Sequence, residues 1–159
     1  MSDNIRAVKP QDVAAIKAII DANELFPSQM LDEMMSGYFT NSDSEELWLT
    51  YDDSNPKAIA FCAPEQMTEG TWNLYLIAVH PDFHRQGIGK AMIRHIEHVL
   101  LVRGVRILLV ETSGLDSFKS TRTFYLSLGY EQEAQIREFY AAGEDKIIFR
   151  KALVNDQSP

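Results

Sequence analysis

The chain has 159 residues, 45% of them hydrophobic, with a formal charge of −8 and a single cysteine, Cys62. That length supports one sizeable core rather than two domains, and one cysteine excludes an intrachain disulfide or a Cys-rich metal site, as suits a reducing, cytoplasmic compartment. The negative charge, with no basic stripe to offset it, argues against a nucleic-acid partner, and the aliphatic runs "VLLV" and "ILLV" are far too short to span a membrane. "MSDNIRAVKPQDV" has no apolar core of signal-peptide length. The expectation is one domain over 1–154, a polar tail over 155–159, and a soluble protein that uses neither membrane nor nucleic acid.

"IRAVK" reads as a first strand, and Pro10 opens "QDVAAIKAIIDAN", where Val13, Ile16, Ile19 and Ile20 recur at helical spacing. "SQMLDEMMSGYF" is a second amphipathic segment, with Ser28 as N-cap and Met30, Met34 and Phe39 facing inward. "EELWLTYD" and "KAIAFCAPE", separated by the turn signal "DSNP", form an antiparallel hairpin, and "TWNLYLIAV" is the next strand. After "HRQGIGKA", Ile88, Met92, Ile96, Val99 and Leu100 make a helical stripe that stops at Gly104. "VRILLV" is apolar on both faces, as a covered strand is. Phe118, Thr121, Tyr125 and Leu128 share a face of a further helix ended by Gly129, and "YEQEAQIREFY" and "KIIFRKAL" close the chain as strands. This order implies a mixed α/β sheet flanked by helices.

The glycine loop invites comparison with two phosphate-binding motifs, and it fits neither. In the P-loop pattern G-x-x-x-x-G-K-[ST] the first glycine falls on His84, and Ala91 stands where a hydroxyl must bind magnesium. In G-x-G-x-x-G the third glycine falls on Met92. What remains is a strand, a loop and a helix whose first turn carries Gly87 and Gly89, so that backbone amides can meet an anion. Arg85, Lys90 and Arg94 crowd the positive end of the helix dipole, with no acid before Glu97. That arrangement is unfavourable unless an anion binds; a plain strand-to-helix turn with solvated cations is the other reading.

"LYLIAVHPDFHRQGIGKAMIRHIE" resembles the acetyl-CoA-binding core of the GNAT superfamily of N-acetyltransferases: a strand ending Val-x-Pro, then [Q/R]-x-x-G-x-[G/A] opening a helix. "TRTFYLSLGYEQEAQI" is similar to the family's later Phe-Tyr-x-x-x-Gly-[Tyr/Phe] block, in the right order and at the right spacing. The resemblance implies a GNAT-like, mostly antiparallel twisted sheet of about six to seven strands with about four helices. It implies acetyl-CoA as cosubstrate, with the backbone of Ile77, Ala78 and Val79 along the pantetheine arm. The loop His84, Arg85, Gln86, Gly87, Ile88, Gly89 and Lys90 would lie around the pyrophosphate, and Tyr125 would protonate the departing thiolate. His84 stands where Gln or Arg is usual, which makes a side-chain contact to phosphate protonation-dependent or removes it, and Phe118 and Thr121 replace an Asn and Ala often found on that helix.

Acetyl transfer to an amine needs a neutral nucleophile, a polarised carbonyl and an acid for the leaving thiolate. Tyr125 suits the acid role because a phenol, with a reference pKa of about 10, is protonated at neutral pH. Many family members carry a Glu on the strand before the glycine loop, but "TWNLYLIAV" has no acid; Glu111 is the substitute, as base or as a rim carboxylate, with Tyr75 or a water chain as alternatives. Cys62, among apolar neighbours, reads as a packed thiol rather than a nucleophile. His80, His95 and His98 form no ligand set, so no metal is expected. Glu24 and Phe26, between the first two helices, lie where the family often contacts its acceptor. The sequence therefore points to direct transfer of acetyl to a primary amine, with a small molecule as the expected acceptor and a homodimer left open. A catalytically weak acyl-CoA-binding sensor is the runner-up.

Overall fold

The computed structural model describes residues 4–154. In chain order the elements are β1 (Ile5–Ala7), α1 (Val13–Ala22), α2 (Met30–Thr40), β2 (Leu47–Asp52), β3 (Pro56–Pro64), β4 (Thr71–Val79), α3 (Ile88–Val102), β5 (Ile107–Ser113), α4 (Lys119–Ser127), β6 (Glu131–Ala141) and β7 (Glu144–Ala152). Short 3-10 turns at Pro10–Asp12, Pro81–Phe83 and Asp116–Phe118 precede α1, the glycine loop and α4. The strands hydrogen-bond in the order β1-β2-β3-β4-β5-β7-β6. The pairs β1/β2, β2/β3, β5/β7 and β6/β7 are antiparallel, whereas β4 and β5 run parallel, Thr71–Leu74 against Ile107–Val110. This is the mixed, mostly antiparallel sheet expected. The proposed tail 155–159 lies outside the described residues. The chain forms two compact units, Met1–Ala63 with Leu76–His98, and Pro64–Tyr75 with Val99–Pro159.

The first unit buries Ile16, Ile19 and Ile20 of α1 with Leu31 and Met35 of α2 against Trp48, Ile59, Leu76 and Ala78 of the sheet. Trp48 stacks on Phe61 with ring centroids 4.1 Å apart, and its indole N–H donates to Glu46 at 2.9 Å, so a large apolar side chain is buried without orphaning its polar atom. The inward face of α2 is not the one the spacing suggested. Leu31 and Met35 are buried, whereas Met30 is 52% and Phe39 36% exposed, and only Met34 of the expected three packs on the core. With four methionine and leucine positions in "MLDEMM", the apolar pattern covers more than one face, and tertiary packing chose between them. Ser28 is also not the N-cap: its hydroxyl donates to Asp21 Oδ2 at 3.1 Å, and Gln29 occupies the capping position with no side-chain bond.

In the second unit Leu108 and Val110 of β5, Phe149 of β7, and Tyr125, Leu128 and Tyr130 are buried. Residues of β5 alternate between buried and half-buried, so one face is fully covered and the other only in part. Gly129 ends α4 at φ +94, a left-handed conformation that favours glycine, and Lys151 Nζ donates to the terminal Leu128 carbonyl at 2.9 Å.

Candidate active site

The first unit carries the loop that follows β4. Its backbone is organised around one carbonyl, Val79 O, which accepts from Asn23 Nδ2 at 3.0 Å and from His84 Nε2–H at 2.7 Å. Asn23 also donates to Ile19 O at 2.9 Å, so the end of α1 is tied to the end of β4. The imidazole of His84 is thus spent on the main chain. Beyond it, Arg85 (φ 64) and Gly87 (φ 79) are both left-handed and bracket Gln86. A Cβ added to Gly87 would meet nothing within 4 Å, so it is backbone conformation and not space that calls for glycine there. Ala91 N donates to Gly87 O at 3.0 Å and closes the first helical turn; the amides just ahead of it are those a helix leaves without intrahelical acceptors.

Charge sharpens this reading. The first turn of α2 carries Asp32 and Glu33, as a helix dipole favours, but that of α3 has no acid. Left-handed residues beside free amides make a concavity for an anion. Glu24 (φ 52) is exposed at the end of α1, and Phe26 packs on the core of the same unit.

The second unit carries a cluster of side chains. Asn73, in the middle of β4, is 2% exposed, and its amide nitrogen donates to Glu65 Oε1 at 3.0 Å and Glu111 Oε2 at 2.6 Å. Lys146 Nζ lies 2.9 Å from Glu111 Oε1 and 3.9 Å from the centroid of the Phe139 ring. Tyr75 Oη donates to Glu65 Oε1 at 2.5 Å. Burial above all, then the bond to Glu65 and the charges of Glu65 and Glu111, push the Tyr75 phenol well above its usual range, so this hydroxyl is held protonated and is no base. Tyr140 is raised by burial and then by Glu111 and Glu144. Two unit charges 4 Å apart at an effective dielectric of about 20 interact by roughly 4 kcal/mol. An ammonium brought up to Glu111 therefore meets a repulsion from Lys146 comparable to its attraction to the carboxylate.

Of the residues singled out from the sequence, Glu111 and Tyr75 meet in this cluster, and Val79 and His84 meet in the first unit. Tyr125 is 2% exposed in the second unit, with ring centroids of Phe124, Tyr130 and Phe149 at 5.5, 5.9 and 5.7 Å. Cys62 is fully buried and burial pushes its thiol up, which leaves it inert. His98 is exposed, whereas His95 is half-buried and burial lowers its pKa. No group of three or more potential metal ligands occurs among the described residues. Glu65, Asn73 and Lys146 were missed. The available signal was Asn73 itself, an amide two residues from Tyr75 in an otherwise apolar strand, where a buried polar group must find partners.

The family model for the acetyltransferase (GNAT) domain matches residues 43–132. The chain belongs to the GNAT acetyltransferase family. Ribosomal protein bS18-alanine N-acetyltransferase of Escherichia coli K12 is 31% identical over 110 residues, 67% of this chain and 73% of that protein. A Desulfovibrio desulfuricans chain described as a GNAT-family acetyltransferase superposes with a TM-score of 0.87 at 30% identity, covering 94% of this acetyltransferase and 98% of that chain. Aminoglycoside 6'-N-acetyltransferase, solved with coenzyme A, shares the fold with a TM-score of 0.76 at 14% identity, covering 97% of this chain and 99% of that one. This acetyltransferase is accordingly an acyltransferase by family. None of its described helices is long and apolar enough to cross a membrane.

Proposed function

We propose that this acetyltransferase moves the acetyl group of acetyl-CoA to a primary amine by direct attack within a ternary complex, and that the amine is the α-amino group of a peptide rather than the small amine expected from sequence. The observation that carries the cosubstrate half is the loop. Left-handed Arg85 and Gly87 precede a helix with no acid in its first turn, and the amides there fit a diphosphate. Acetyl-CoA supplies the acyl group as a thioester, an activated carbonyl with a good leaving group. Arg85 and Lys90 add charge to the amides of Gln86, Gly87, Ile88 and Gly89, and His84 shapes the loop through Val79 O. The backbone of Ile77 and Ala78 lies along the pantetheine arm.

Tyr125 holds, at Oη, the proton destined for the departing thiolate. Glu24, Phe26, Tyr75 and Glu111 contact the acceptor. Direct attack is favoured because the one thiol, Cys62, is buried and raised in pKa, which leaves no cysteine to carry the acetyl group. A peptide acceptor is favoured by the E. coli relative, whose name specifies an alanine of a ribosomal protein. The cytoplasm is the compartment this reading assigns, in keeping with a free thiol.

The test is CoA release from acetyl-CoA with a hexapeptide bearing a free N-terminal alanine, the same peptide Nα-acetylated, and a panel of small primary amines. The free peptide is expected to turn over, the blocked one not, and the small amines more slowly. Faster turnover of the small amines overturns the peptide assignment, and no release with any amine overturns the transfer itself.

A further inference from the structure

The hairpin of β6 and β7 departs from regular pairing at one place. Gln135 pairs with Ile147 and Ile136 with Lys146, and the ladder resumes only at Ala141 and Glu144. Between those pairs Arg137, Glu138, Phe139 and Tyr140 all face the single residue Asp145. An ordinary bulge sets two residues against one. Within this larger one Glu138 is left-handed at φ 52, a conformation that disfavours a side chain and persists only where its surroundings impose it. Asp145 supplies that constraint. Its Oδ1 accepts from Glu138 N at 2.9 Å and its Oδ2 from Gln135 Nε2 at 2.5 Å, and Glu138 Oε2 accepts in turn from Gly143 N at 3.3 Å. The Glu138 amide first, and then Gln135, hold the Asp145 carboxyl below the usual carboxylate range, so it is ionised at neutral pH. Its own main chain is fixed to the end of β5: Gly114 N donates to Asp145 O at 2.9 Å, and a Cβ added to Gly114 would stand 3.3 Å from Asp145 Cβ.

What the bulge carries is a pair of aromatic rings. Phe139 and Tyr140 stand edge to face with centroids 5.2 Å apart, and they are 52% and 44% exposed. Rings this open add little to the core, yet a clasp of several hydrogen bonds and a strained residue fix the backbone that bears them. The Phe139 ring lies 3.9 Å from Lys146 Nζ, the ammonium that is 2.9 Å from Glu111. Tyr140, raised by burial and then by Glu111 and Glu144, lies in the field of the same carboxylate. From this we propose that Asp145 is a positioning residue for the acceptor: its carboxylate holds the bulge 137–140 so that Phe139 and Tyr140 form one wall of the approach to Glu111. The proposal rests on the primary-amine reading above, with Glu111 as an acceptor contact. Asp145 itself touches neither substrate. Its effect is on the fraction of molecules whose wall is in place, and an acceptor that needs that wall binds more weakly in proportion as the fraction falls. Acetyl-CoA, bound through the loop after β4, is indifferent to it.

The experiment measures initial rates against acceptor concentration at saturating acetyl-CoA, with the amine of the panel that turns over fastest. Asp145→Ala is expected to raise the acceptor KM by roughly 5- to 20-fold and to lower kcat by less than about threefold, the pattern of lost binding rather than lost chemistry. Acetyl-CoA affinity by calorimetry is expected within about twofold of wild type, which separates a loosened bulge from a damaged fold. Asp145→Asn restores the clasp, because its oxygen accepts from Glu138 N and the Gln135 amide can turn to accept from its nitrogen; its KM is expected within about threefold of wild type. Gln135→Ala, an exposed substitution that removes one of the two donors, is expected to raise KM in the same direction by less, and it carries the test if Asp145→Ala does not fold. The deciding arm is a double-mutant cycle. In a chain that already carries Phe139→Ala and Tyr140→Ala, Asp145→Ala is expected to add less than about twofold, because there is no wall left to position. A wild-type acceptor KM in Asp145→Ala, the same KM rise with and without the two rings, or a parallel loss of acetyl-CoA affinity overturns the proposal and leaves the acetyltransferase reading intact. A wild-type chain that acetylates no amine on the panel overturns both.

Discussion

The loop after β4 and the cluster around Asn73 are built from different material. The loop works through main chain: two left-handed residues, a doubly engaged Val79 carbonyl, and the open amides of a helix start. The cluster works through side chains drawn from Glu65, Asn73, Tyr75, Glu111 and Lys146. A main-chain cradle suits a ligand that is always the same, because any residue with the right φ and ψ supplies the same amides. A side-chain cluster suits the ligand that differs between relatives, because one substitution alters it without refolding a loop. Substitutions in the loop should therefore matter through backbone conformation, and those in the second unit through the atoms they delete.

The largest effect is expected at Tyr125. Tyr125→Phe keeps the ring among Phe124, Tyr130 and Phe149 but removes the hydroxyl proton, and turnover should fall by roughly 10- to 1000-fold in steady-state kinetics. A lost hydroxyl bond is worth about 1 kcal/mol, or roughly 2–4 °C in Tm for a chain of this size. Wild-type turnover with an intact melting curve would remove Tyr125 from the acid role.

A smaller effect, in binding and not in rate, is expected from Gly87→Val. Forcing a side chain into the left-handed region costs about 1–2 kcal/mol, so calorimetric titration should show acetyl-CoA affinity weakened by roughly 5- to 30-fold. Gly87→Asn should lose less, since Asn tolerates that region. Equal losses for the two would mean that the space beside Gly87, and not its φ, is what the cosubstrate needs.

The smallest effect is expected from His84→Gln. The imidazole donates to Val79 O, a bond that a Gln amide can replace, so affinity should change by less than about threefold and the two pH profiles should run parallel. If wild-type affinity instead fell with rising pH while the variant stayed level, an imidazolium would be touching phosphate after all.

Much of the fold was legible because its signals are local. The stripe Ile88, Met92, Ile96 and Leu100 and the stops at Gly104 and Gly129 lie within a few residues of what they determine, and Ile16, Ile19 and Ile20 are buried as their spacing implies. The face of α2 was not legible, because "MLDEMM" is apolar in several directions and only its neighbours decide which side is covered. The glycine loop was read correctly as neither of the two nucleotide motifs. The cluster could not be read: positions 65, 73, 111 and 146 meet only because β4 pairs in parallel with β5 and β5 antiparallel with β7, and that register is not written in any one stretch. The acidic residue absent from "TWNLYLIAV" led to Glu111, a real member of the cluster, but its partners Asn73 and Lys146 come from elsewhere in the chain.

Cys62 has a practical consequence. Fully buried, and with its thiol pushed up by that burial, it is silent towards alkylating reagents, so in a labelling experiment the chain behaves as though it had no cysteine. A cysteine introduced on the surface would be the one reactive thiol and would need no background substitution. Met67, fully solvent-exposed in the turn between β3 and β4 and two residues from Glu65, offers such a position. A fluorophore on Met67→Cys would mark the chain at one defined surface position without disturbing the core.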